Sequence, residues 1–127
     1  MSRRAFAVKP EGPVVAGALF QAECVAYTTI GERLFWLGSC PAETPWRAFG
    51  WITRRAASIA DQLDPAYARP VHAWLADSHT HARIVEQLDA GTPYTFTICE
   101  GAVRYALTIA PDGAIGQAHL LACEVST

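Results

Sequence analysis

Cys40 is the residue in this chain best suited by type to nucleophilic chemistry. It lies in Gly38-Ser39-Cys40-Pro41, a few residues before the helix start expected at Pro45. A helix N-terminus stabilises a thiolate, which is the reactive form of cysteine. A general base would have to come from His72, His79, His81 or His119, with Asp77 available to orient it. Four cysteines and four histidines in 127 residues supply such combinations by chance. Cys40 and His79 therefore enter as weak catalytic candidates beside a plain reading, an unreactive loop cysteine.

His79-Thr80-His81 is the one close histidine pair. On a helix, residues two apart point roughly 200° away from each other and cannot share a metal ion; in an extended segment they can. His72 and His79 share a face only on one continuous helix, with Asp77 or Glu86 as third ligand. No spacing matches a zinc pattern, so no metal and no cofactor is expected. His81 shares a stripe with Ile84, Val85 and Leu88, which favours a hydrogen-bonded, semi-buried histidine. The chain lacks G-x-S-x-G, paired carboxylates, G-x-x-x-x-G-K and G-x-G-x-x-G, and with them the usual signatures of serine hydrolysis, glycoside hydrolysis, nucleotide hydrolysis and dinucleotide binding.

The strongest hint is of binding. Between Thr44 and Leu63, Phe49, Ile52, Ala56, Ile59, Ala60 and Leu63 cluster on one side of a helical wheel. Arg47, Trp51, Arg54, Arg55 and Ser58 cluster on the other. A tryptophan among arginines can stack on a base, hold phosphates or anchor an acidic protein surface. The competing reading packs Trp51 beneath another element, with arginine stems covering its edge.

The elements that position these residues read as α+β. Thr44 is a good N-cap and Pro45 fits the first helical position, so a helix is expected to about Leu63, before Asp64-Pro65. Leu19–Thr29 and Arg33–Gly38 read as a hairpin around Gly31, although residues 13–29 also fit a helix face. Val71–Ala76 is helical or extended. Asp77 or Ser78 caps a helix through Asp89, with Gly91 and Pro93 closing it. Alternation through Tyr94–Cys99, Val103–Ile109 and Gln117–Val125, with turns at Glu100-Gly101 and Pro111-Asp112-Gly113, predicts a C-terminal three-stranded meander. The sum is a roughly five-stranded antiparallel sheet with two helices packed on one face. Residues 1–127 form a single domain and residues 1–10 a loose arm. Trp36, Trp74, Tyr94 and Phe96 are candidates to line a pocket between the layers.

Composition bounds the function. The formal net charge is −2 with 51 % hydrophobic residues, which fits a folded domain and gives no whole-protein case for nucleic acid or an anionic membrane. The apolar run from Pro13 to Ile30 is short for a membrane span and contains Gln21 and Glu23. No convincing cleavage site follows the basic residues near the start, and the scattered cysteines show no C-x-x-C spacing, so a reducing cytosol is expected. Abundant Ala and Arg with Lys9 as the only lysine suggests a GC-rich bacterial or phage genome. The expectation is a small cytoplasmic binding or accessory protein, as mobile elements carry, that acts through protein–protein contacts. A nucleic-acid-binding protein using the same face and a small Cys40-dependent enzyme are the alternatives. A homodimer through the edge of the last strand fits the same pattern.

Overall fold

The structure is a computed structural model that describes residues 19–111. The elements run β1 (Phe20–Thr28), β2 (Leu34–Ala42), α1 (Pro45–Ala60), α2 (Pro65–Leu75), α3 (Ser78–Asp89), β3 (Tyr94–Glu100) and β4 (Val103–Pro111). The architecture is α+β; among the described residues it comprises an antiparallel four-stranded sheet in the order β2-β1-β4-β3 and three helices. The expected arm at residues 1–10, the expected strand at Gln117–Val125, His119 and Cys123 lie outside the described residues.

Two hairpins build the sheet, and β1 joins them by pairing with β4. The 19–29 segment is thus strand rather than helix. The β3–β4 turn falls at Glu100-Gly101 as expected, with Gly101 at φ +57. In the first hairpin the register slips between Cys24 and Val25: Cys24 faces Gly38, but Val25 faces Trp36, leaving Leu37 as the extra residue of a bulge. β2 also continues through Cys40 and Pro41 to Ala42. Pro41 fits there because β2 is an edge strand among the described residues, where a missing N–H need not break a ladder. Cys40 is therefore a strand residue and not a loop residue.

α1 starts as its sequence dictates: the Thr44 hydroxyl accepts from the Arg47 backbone N–H at 3.1 Å and Pro45 opens the first turn. It ends at Ala60, earlier than expected. The Gln62 N–H donates to Ile59 and the Leu63 N–H to Ala60, a tightened i→i+3 turn that carries the apolar stripe past the helix proper. Val71–Ala76 belongs to a third helix, α2, which begins at Pro65 behind Asp64 and carries Pro70 inside it. A proline there removes one helical hydrogen bond without ending the helix. Asp77 then caps α3, accepting from the Thr80 backbone N–H at 3.1 Å and the Thr80 hydroxyl at 2.6 Å.

The main core lies between the helices and one sheet face. Ile52, Ala56, Val71, Ile84 and Leu88 descend on Ala22, Cys24, Leu107 and Ile109. The bulge turns Leu34 and Trp36 onto the other sheet face, where they join Val25, Tyr27 and Ala106. Glu23, Thr108 and Ala110 on that face are also buried, so central strands β1 and β4 are shielded on both sides.

Candidate functional site

α1 lies across β1, β2 and β4. This placement divides the arginine-bearing face of the helix into two clefts with a stacked pair between them.

The stacked pair is Trp51 and Arg55. Trp51 is half-buried rather than free in solvent, and it packs on the core edge above β2. The Arg55 guanidinium lies over the indole, 4.9 Å from the ring centroid. Both reach Gly38, which is held at φ +138. A Cβ there would stand 2.9 Å from Arg55 Nη2 and 3.6 Å from Trp51 Cζ2. Glycine at 38 thus meets two requirements, a backbone conformation costly for L side chains and room for the guanidinium.

The first cleft runs between the start of α1 and the end of β2. Trp46, Arg47, Gly50 and Arg54 form one wall and Cys40, Pro41 and Ala42 the other, around a volume of about 460 Å³. Trp46 is 57 % exposed and touches the buried Phe49 edge to face, with ring centroids 6.3 Å apart. The exposed tryptophan of α1 is therefore Trp46 and not Trp51. Trp46 occupies the first turn, before the helix settles on the sheet. Trp51 is one turn further on, where its ring spans the gap to Gly38.

The second cleft lies under the end of α1, with a volume of about 270 Å³. Its floor is Cys24, Leu37, Ile59 and Leu63, and its rim is Arg55, Ser58, Gln62, Glu100 and Tyr105. Burial pushes the Cys24 thiol up to about 11, only partly offset by the nearby Arg55 charge. Burial also raises the Tyr105 hydroxyl, as do the Glu100 charge and the hydrogen bond to its carboxylate.

Arg47, Arg54 and Arg55 are exposed, and among the described residues none of them pairs with a carboxylate. α1 contains no acidic residue at all. The helix face expected from sequence therefore exists, but it is not one surface. Arg47 and Arg54 share the first cleft, Arg55 and Ser58 the second, and Trp51 is the divider.

The catalytic candidates do not meet. The Cys40 thiol donates weakly to the Pro41 carbonyl at 3.4 Å, and its cleft is lined by no histidine. His79 is exposed in the first turn of α3. His72 and His79 sit on separate helices, α2 and α3, so they do not share one helical face. His81 takes the semi-buried role read for it. Its Nε2 donates to the Trp74 carbonyl at 2.7 Å, and its ring centroid is 4.8 Å from that of Phe49. Among the described residues no three His, Cys, Asp or Glu side chains gather as a metal site.

The expected aromatic pocket is filled by its own lining. Trp74 stacks on Phe96 at 3.9 Å and 8°, and its indole N–H donates to the Tyr94 hydroxyl at 3.0 Å. Trp36 is on the opposite sheet face and takes no part.

Sequence reasoning missed Trp46, Gln62, Glu100 and Tyr105 as cleft residues. Only Trp46 carried a local signal, a large aromatic at the second position of a capped helix. The other three are brought to one rim by the pairing of β4 with β1 and by the turn after α1. No helix among the described residues is long and apolar enough to cross a membrane. No family model, curated protein or solved structure matches this chain.

Proposed function

We propose that this chain is a cytosolic accessory protein that binds an acidic segment of a protein partner in the cleft between α1 and β2. The observation that carries this reading is the set of arginines on a helix without acids, which among the described residues are unpaired and lie beside an edge strand. Desolvated guanidinium–carboxylate pairs at such a surface give specificity and fast association. Trp46 supplies an exposed aromatic anchor, and Pro41 and Ala42 give the β2 wall of the cleft an apolar margin. β2 carries no charged residue from Leu34 to Ala42 that would oppose an incoming strand.

The experiment is fluorescence anisotropy with a labelled glutamate-rich peptide containing apolar residues, beside a single-stranded DNA of equal charge. The expected result is peptide binding that weakens with salt and drops at least tenfold in the double variant Arg47→Glu/Arg54→Glu. Trp46→Ala should weaken binding while leaving the melting temperature nearly unchanged. Binding of the DNA alone, falling steeply with salt, would assign the surface to nucleic acid instead. Binding of neither probe would remove this reading.

A further inference from the structure

The second cleft has a composition the partner surface does not explain. Its rim holds one cation, Arg55, and one anion, Glu100, and its floor is apolar. Neither charge is placed to suit a ligand of single sign: an anion drawn to Arg55 meets Glu100, and a cation drawn to Glu100 meets Arg55. A molecule bearing both charges on neighbouring atoms satisfies both groups. The volume of about 270 Å³ equals about nine water volumes, the size of a free amino acid with a branched aliphatic or aromatic side chain.

We propose that this cleft binds a free apolar α-amino acid. Arg55 holds the carboxylate, Glu100 holds the ammonium, and the side chain rests on Cys24, Leu37, Ile59 and Leu63. The Arg55 guanidinium rests over the Trp51 indole and beside Gly38, a stacking that reduces the rotamer freedom left to lose on binding. Glu100 and Tyr105 line the same rim, and a carboxylate has acceptor positions enough for both a neighbouring hydroxyl and an ammonium. Ser58 and Gln62, on the same rim, offer further donors to the carboxylate. The site is separate from the cleft of Arg47 and Arg54 and does not depend on how that surface is used.

Titration calorimetry with L-leucine and L-phenylalanine tests it, set against 4-methylpentanoate, which lacks the ammonium, and 3-methylbutylamine, which lacks the carboxylate. The amino acids should bind, and each single-charge analogue should bind at least tenfold more weakly. Arg55→Gln should weaken amino-acid binding at least tenfold. Glu100→Gln should reverse the preference, improving binding of 4-methylpentanoate while weakening that of leucine, a swap that general damage to the fold would not produce. Circular dichroism melts establish that both variants are folded. No heat of binding from either amino acid at millimolar concentration would overturn the proposal. So would equal affinity for leucine and 4-methylpentanoate, or an Arg55→Gln variant that binds as the parent does.

Discussion

The Arg55 guanidinium lies over the Trp51 indole at 4.9 Å, and Gly38 lies close against both side chains. One contact thus ties α1 to the edge strand β2, next to the bulge that sets the strand's register. Stacking on tryptophan is the arrangement in which a guanidinium keeps its donors free at the ring edge while its flat face is shielded.

Gly38→Ala should break this tie. The new methyl would meet Arg55 Nη2 at 2.9 Å, and alanine would be forced to φ +138. Backbone strain of that kind costs about 1–3 kcal/mol. Urea unfolding should show a midpoint shift of that size, and tryptophan fluorescence should change as Arg55 leaves the indole. A variant as stable as the parent would mean that β2 relaxes there without cost.

Trp51→Ala should cost stability as well as any binding it affects. A fully buried tryptophan cut to alanine loses about 3–5 kcal/mol, so a half-buried one should lose about 2 kcal/mol. Trp46→Ala, at 57 % exposure, should be close to neutral. Thermal melts of the two variants side by side check the assignment of which tryptophan is structural.

That contrast shows what sequence could and could not reveal. Thr44, Pro45, Asp77 and the Glu100-Gly101 turn were legible because each acts within four residues of itself. The inward stripe of α1 was legible because helical period alone sets it. The fate of Trp51 depended on a glycine thirteen residues earlier, on a strand whose extent was underestimated at Cys40 and Pro41. The rim of the second cleft needed the β1–β4 pairing, which joins segments some eighty residues apart and leaves no local mark. Trp36 was misplaced for a similar reason: a single extra residue, Leu37, reverses the face of everything before it in β2.

Asp77 should make α3 sensitive to acid. Its carboxylate accepts from the Thr80 hydroxyl and the Thr80 backbone N–H, and these bonds hold its pKa below the ordinary 3.8, with smaller help from the nearby histidines. A folded pKa below the unfolded one means that the contribution is present above the unfolded value and lost as pH falls through the folded one. Helical circular dichroism should therefore decline below about pH 4 in the parent. Asp77→Ala should lower the melting temperature at neutral pH and remove that part of the acid response.

Cys24 should have the opposite pH signature. Its thiol is 1 % exposed and is pushed by burial up to about 11 from an ordinary 9.0. A folded pKa above the unfolded one favours the protonated thiol in the native state. Its contribution is full below pH 9 and is lost as pH rises toward 11, by roughly 2–3 kcal/mol for a shift of this size. Tyr94 and Tyr105, also raised by burial, act in the same direction at higher pH. Cys24→Ala should flatten the pH 9–11 part of the stability profile, on top of a uniform loss of about 1 kcal/mol from the small cavity it leaves in the core. Iodoacetamide supplies the kinetic counterpart at pH 8, where the raised pKa keeps the Cys24 thiol protonated and unreactive. Among Cys24, Cys40 and Cys99, the exposed Cys99 should label first, half-buried Cys40 next and Cys24 only on unfolding. Early labelling of Cys24 in the folded protein would show that the second cleft opens to its floor.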